Sequence, residues 1–180
     1  PQSKLELKSL SESNKNFLKD EKYPETNRYP IVNTIPRFVL SSDNYCSAFG
    51  QQWKKWRKTQ LDSYTKTTIS KKRLLRCLTD KGLNFIENSR KNLNLLEVGC
   101  GAGRFTERLL EFPSLKITSL DFSEAVDANQ DNFPQSNRHR IIQADINNPP
   151  FEKGKFDIVL CLGVIQHTPN PEETITNLYD

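Results

Sequence analysis

Methionine is absent from the 180 residues, and the chain opens on Pro1. The expectation is therefore a longer polypeptide, with residues before Pro1. No apolar run approaches the roughly 18 residues of a membrane-spanning helix, and no secretory signal is visible. A membrane partner is not expected, and a cytoplasmic location is. Only four cysteines occur, at Cys46, Cys77, Cys100 and Cys161. No two of them form a CxxC pair, so no metal site is expected. Cys100 and Cys161 stand in apolar, strand-like runs, which fits free buried thiols in a reducing compartment. Net charge is also small, at +4. The basic runs at residues 54–58 and 71–73 read as solvated helix faces. A nucleic-acid partner calls for a stronger, one-sided excess.

What is present lies unevenly. Apolar residues make up 35% of the chain and concentrate after about residue 93. Residues 1–30 are rich in Ser, Asn, Lys and Glu and show little periodicity. Residues 29–40 read as an extended arm or edge strand, because Pro30 and Pro36 bar a central strand. Helices are predicted over residues 45–61, with Phe49, Trp53 and Trp56 at helical spacing, and over 71–88, with Ser70 as cap. Beyond residue 92 strands and helices alternate. Strands are predicted at 93–98, 116–120, 140–144 and 156–162, and helices at 104–111 and 123–132. A last helix opens at Asn170, with Pro171 in its first position. Such alternation predicts an α/β fold, a mostly parallel sheet with helices on both faces. The boundary with the N-terminal extension is drawn as 1–65 and 66–180.

The most informative stretch is Leu95-Leu96-Glu97-Val98-Gly99-Cys100-Gly101-Ala102-Gly103-Arg104. A strand runs into three glycines at alternate positions, and a helix follows. Glycine allows the tight turn and lets the backbone approach a ligand. The helix start beyond it offers unpaired N–H groups. A dinucleotide loop needs G-x-G-x-x-G. Here the third glycine position falls on Arg104 or Thr106, so a nicotinamide-dependent oxidoreductase is disfavoured. Glu97, two residues ahead of the loop, suits a cationic ligand better than a pyrophosphate. Asp121 ends the next strand, 18 residues after Gly103. By itself it reads as a cap for the following helix, as does Ser123. Asp145 ends the third strand and equally suits the start of a turn at Asn147-Asn148-Pro149-Pro150.

These segments resemble class I, Rossmann-like S-adenosylmethionine (AdoMet) methyltransferases, in particular the bacterial type 11-like subgroup. The resemblance covers residues 93–179 closely and 29–63 loosely. It implies a doubly wound sheet with strands in the order 3-2-1-4, and C-terminal strands supplied by more of this chain or by another. It implies AdoMet as cofactor, S-adenosylhomocysteine as product and a small-molecule methyl acceptor. By resemblance Glu97, Gly99, Cys100, Gly101 and Gly103 form the first motif. Asp121 binds the ribose, and Phe122 lies against the adenine. Ala144, Asp145 and Ile146 hold the adenine amino group and ring. Cys161, Leu162 and Gly163 border the methionine end. His167 acts as general base on a hydroxyl acceptor or holds its loop in place.

In the resembled subgroup the N-terminal extended piece trails a zinc-ribbon-like module with paired cysteines, which this sequence lacks. Its aromatic helix is expected to act as a lid built from Tyr45, Phe49, Gln52, Trp53 and Arg57. Two other functions remain open from sequence: a non-catalytic AdoMet-fold scaffold, and a methyltransferase acting on RNA or protein. High Asn and Lys usage fits an AT-rich bacterial genome.

Overall fold

The computed structural model describes residues 17–19, 28–39 and 47–179, with side chains from 29–39 and 50–179. Its centre is a four-stranded parallel sheet of β4 (Leu93–Val98), β5 (Leu115–Asp121), β6 (His139–Gln143) and β7 (Ile158–Cys161). The spatial order is β6-β5-β4-β7, which is the expected 3-2-1-4 arrangement. Each strand is short and apolar because both faces are covered, as parallel sheets require.

Alternation along the strands divides their side chains between two cores. Leu93, Leu95, Ile117 and Leu160 pack with Leu74 and Ile86 of α3 (Ile69–Glu87) and Leu109 of α4 (Thr106–Leu109). On the other face Leu96, Val98, Leu120 and Ile142 pack with Ala144, Ile146 and Leu178, the last on α6 (Pro171–Tyr179). Burying such side chains contributes about 1.5–3 kcal/mol each. All loops that follow the strands therefore open at one end of the sheet, where ligands meet open α/β folds.

The N-terminal segment is built onto this frame. Strands β1 (Phe17–Lys19), β2 (Arg28–Val32) and β3 (Ile35–Pro36) form a small antiparallel sheet. Its tight turn places Asn33 and Thr34 at positive φ, 52° and 66°. The arm then joins the main sheet: Arg37 bridges Gln143 in parallel register, and the Phe38 N–H donates to the Gln143 carbonyl at 2.7 Å. Arg37 is buried, donating to the Gln143 side chain at 3.1 Å and pairing with Asp127 of α5 (Ala125–Asn132) at 2.6 Å. Proline spacing foretold an edge element, and it closes the β6 edge.

Three predicted helices differ in extent. The helix expected over 45–61 is α1 (Ser47–Lys55). The chain then turns, with the Thr59 N–H and hydroxyl both donating to the Trp56 carbonyl. Ser70 is inside α3 rather than capping it. Asp62, on the short helix α2 (Asp62–Thr65), instead accepts from the Ser70 and Lys71 N–H groups at 3.0 and 2.9 Å. Glu107 caps α2 in turn, accepting from the N–H of Asp62 and of Ser63. The helix expected over 104–111 keeps helical geometry only at Thr106–Leu109.

Candidate active site

The glycine loop leaves β4 and folds back under its own hydrogen bonds. The N–H groups of Gly99 and Cys100 donate to the Leu120 carbonyl, and the Gly103 N–H donates to the Cys100 carbonyl. Two of its glycines could not be replaced. At Gly99, φ is +68° and a Cβ would stand 2.1 Å from Val164 Cγ2; at Gly103, φ is +96° and a Cβ would meet the Phe133 ring at 2.6 Å. The loop is thus pressed against the segment after β7 on one side and the end of α5 on the other.

Above the loop lies a cleft of about 420 Å³. Gly99, Cys100 and Gly101 line its floor. Asp121, Phe122, Ala144 and Ile146 line the β5–β6 side, and Leu162, Gly163, Val164 and His167 the β7 side. Asp121 is fixed before any ligand arrives. Its Oδ2 accepts from the Gly101 N–H at 2.8 Å, and its Oδ1 accepts from the Ser123 N–H and hydroxyl at 2.8 and 2.7 Å. Ser123 Oγ accepts from the Ala125 N–H at the start of α5. Asp121 therefore does both jobs open to it in the sequence: it ties the helix start and presents a carboxylate to the cleft. Burial raises its pKa above the usual carboxylate value.

Four predicted site residues do not reach the cleft surface. Glu97 lies beneath the floor, 2% exposed, and accepts at Oε2 from the Thr106 and Ser119 hydroxyls. Burial pushes its pKa up to about 7. Gly103 is packed under Phe133. Asp145 turns back on its own chain, accepting from the Asn147 N–H at 2.8 Å. Cys161 is half-buried in the core on the Leu96 face, its pKa raised by burial to about 11. His167 stands exposed on a 3-10 turn, Ile165–His167, and its N–H donates to the Val164 carbonyl.

Two of the expected lid residues line the cleft. Trp53 and Gln52 come from α1; the indole Nε1 is 3.6 Å from where a Gly101 Cβ would stand. Of the expected lid residues, Arg57 pairs instead with Asp131 of α5. Tyr45 and the Phe49 side chain lie outside the described residues. At the α3 end the cleft is lined by Gln60, Arg73 and Arg104. Arg104 Nε donates to Ser70 Oγ at 3.1 Å, and its guanidinium lies over the Phe105 ring. Burial first, and Arg73 second, lower its pKa. Neither arginine forms an ion pair among the described residues. The only sequence signal for Arg73 was its place in a basic run.

Residues 96–180 match the model of a methyltransferase domain family. Over that stretch, a little under half of its length, the chain is similar to methyltransferases of this family. A malonyl-[acyl-carrier protein] O-methyltransferase of Ilyobacter polytropus is 34% identical over 104 residues, which are 57% of this chain and 38% of that protein. A ubiquinone biosynthesis O-methyltransferase of Coxiella burnetii is 30% identical over 99 residues, covering 53% and 42%. The chain thus spans about two fifths of the length of these relatives. Among solved structures, a methyltransferase-fold protein of Methanococcus maripaludis superposes with a TM-score of 0.54 at 18% identity, over 72% of this chain and 56% of that one. That likeness concerns the fold. Among the described residues no helix is long and apolar enough to cross a membrane, and no cluster of metal-ligating side chains occurs.

Proposed function

We propose that this cleft binds AdoMet and that the protein transfers its methyl group to an oxygen of a small-molecule acceptor. The observation that carries the proposal is the polarity of one continuous cleft. A single carboxylate, Asp121, stands at its β5–β6 end, glycines form its floor, and two arginines stand at its α3 end. The ligand this suits has a cis-diol at one end and a carboxylate at the other, with no phosphate between. Asp121 would take the ribose hydroxyls, as its largely buried carboxylate lines the cleft and has lone pairs beyond those already used. Phe122, Ala144 and Ile146 offer apolar contact for the adenine. Arg104 and Arg73 would take the amino-acid carboxylate in charge-assisted hydrogen bonds. The oxygen acceptor is supported by the names of the relatives, both O-methyltransferases.

AdoMet, when bound, supplies an electrophilic methyl on a sulfonium, so the protein's task is alignment and exclusion of water. Trp53 and Gln52 from α1 cover the floor at Gly101 and narrow access to it. Leu162, Gly163 and His167 border the methionine end. His167 would accept the proton of a hydroxyl acceptor there. Asp145 contributes by shaping the turn that sets Ile146 against the ring, and Gly103 and Cys161 by packing beneath.

Calorimetric titration of S-adenosylhomocysteine into the protein tests this reading. Micromolar binding is expected, weakened at least about 100-fold in Asp121→Ala, as for loss of a buried charged acceptor. A folded protein that binds NAD but not S-adenosylhomocysteine would overturn it.

A further inference from the structure

Directly under the glycine loop is a polar cluster that the cleft does not use. Glu97 is the penultimate residue of β4, two residues before Gly99. From β5, Ser119 donates to its Oε2 at 2.8 Å; from α4, Thr106 donates to the same oxygen at 2.6 Å. Asn129 of α5 donates to Thr106 at 3.0 Å, and His139 of β6 meets Ser119 through Nε2 at 3.1 Å. The facing residue on β7 is Leu160. Among the described residues, nothing pairs with the buried Glu97 Oε1.

An ionised carboxylate has about four acceptor sites to fill. Here two hydroxyls donate to one oxygen, the Thr106 backbone N–H adds a weaker pull toward the charged form, and among the described residues nothing pairs with the other oxygen. No Lys or Arg pairs with Glu97 among the described residues. The other titratable groups around it give no positive charge. His139 is 1% exposed and burial lowers its pKa to about 4, so it is neutral at physiological pH. Asp121 on β5 repels a charge on Glu97, and the Cys100 thiol in the loop is raised well above its usual value by burial. Among the described residues a negative charge on Glu97 thus has no counter-charge. A cation resting on the loop would provide one, acting through a thin, dry layer of backbone.

We propose that Glu97 is a charge-sensing residue: it holds its proton while the cleft is empty or contains a neutral thioether, and releases it to solvent when a sulfonium ligand binds above. This rests on the cleft being the AdoMet site. Protonation and binding are linked and reciprocal. AdoMet and S-adenosylhomocysteine differ by one methyl and one positive charge, so Glu97 makes the choice between them depend on pH. Once the methyl has left, Glu97 regains a proton and its hold on the product weakens. Acting from below the floor, it is a positioning residue that touches neither reactant.

The test is calorimetry on the full chain with AdoMet and with S-adenosylhomocysteine, in buffers of different ionisation enthalpy between pH 6 and 8. At pH 7, AdoMet should release about half a proton more than S-adenosylhomocysteine, and its relative affinity should rise about tenfold from pH 6 to 8. In Glu97→Gln both effects should fall to the level set by the ligand's own amine. Ser119→Ala removes one donor to Oε2 and should move the linkage to higher pH, which gives a second reading if the glutamine variant folds poorly. Binding of both ligands with equal proton release, or linkage that persists in Glu97→Gln, would overturn this proposal alone. Failure of a folded chain to bind either ligand would overturn it together with the cofactor reading.

Discussion

The glycine loop has two polar surroundings, and they differ in kind. Above it, Asp121, Arg104, Arg73 and His167 are partly or fully open to solvent. Two of these cations have no carboxylate partner among the described residues. Below it, Glu97, Ser119, Thr106, Asn129 and His139 are buried and bonded to one another, yet among the described residues Glu97 Oε1, Asn129 Oδ1 and His139 Nδ1 have no close hydrogen-bond partner. The upper set is arranged for a ligand. The lower set fixes the loop and responds to charge. One strand end serves both because alternate residues of β4 and β5 face opposite ways and the loop reverses between them.

The sharpest way to break the comparison is to remove the loop's shape while leaving every polar group in place. Gly103→Ala should lower unfolding stability by about 2–4 kcal/mol, since it combines a positive φ with overlap on the Phe133 ring. Chemical denaturation measures this. The double variant Gly103→Ala, Phe133→Leu should recover only part, because the backbone strain remains.

The lower set can be separated by pH. Folded Glu97 keeps its proton up to about 7, whereas an unfolded glutamate releases it near 4.5. Between these values only the native state holds that proton, so this group's contribution to stability falls as pH rises. His139 acts in the opposite sense: its pKa is about 4 when folded and 6.5 when not, so its contribution is lost as pH falls through that window. Each effect is about 3 kcal/mol at most, and over pH 4.5–6.5 they largely cancel. Glu97→Gln should therefore gain stability relative to wild type as pH rises from 4.5 to 7. His139→Asn should lose it relative to wild type over 4–6.5. Denaturation midpoints at four pH values would reveal either trend, and parallel curves would refute the pairing.

These two regions were unequally legible in the sequence. The three glycines, Asp121 and the strand order could be read because local rules fix them: turn conformation, strand length, alternation with helices. Leu93–Val98 was foreseen to the residue. The underside was not. Ser119 and His139 look like ordinary strand residues, and only the register that sets Glu97 beside Ser119, and His139 beside Ile117, brings them together. Register between parallel strands is set by packing across long connections, which no short pattern encodes. For the same reason Glu97 was expected on the cleft and lies below it. Gln60 and Arg73 escaped notice because both reach the cleft from more than twenty residues upstream of the glycine loop. A basic helix face by itself is more often just solvated.

Effects on the upper set should be smaller. Arg104→Gln should weaken S-adenosylhomocysteine about tenfold, as for one charge-assisted hydrogen bond at a partly solvated site. It should leave 5′-methylthioadenosine, which lacks the amino-acid end, unchanged. An equal loss for both would mean that the arginine pair serves the fold rather than the ligand. Trp53→Ala should have the least effect, about threefold on affinity with no change in core stability, because even a side chain at Gly101 would meet the indole only at ordinary van der Waals distance. Competition binding would resolve both.

The most direct test of the central claim is a crystal structure of the protein with S-adenosylhomocysteine. The ribose should lie on Asp121, the adenine against Phe122 and Ile146, and the carboxylate toward Arg104 and Arg73, with Glu97 still beneath the floor. Ligand seated elsewhere, or turned so that its amino-acid end meets Asp121, would contradict it.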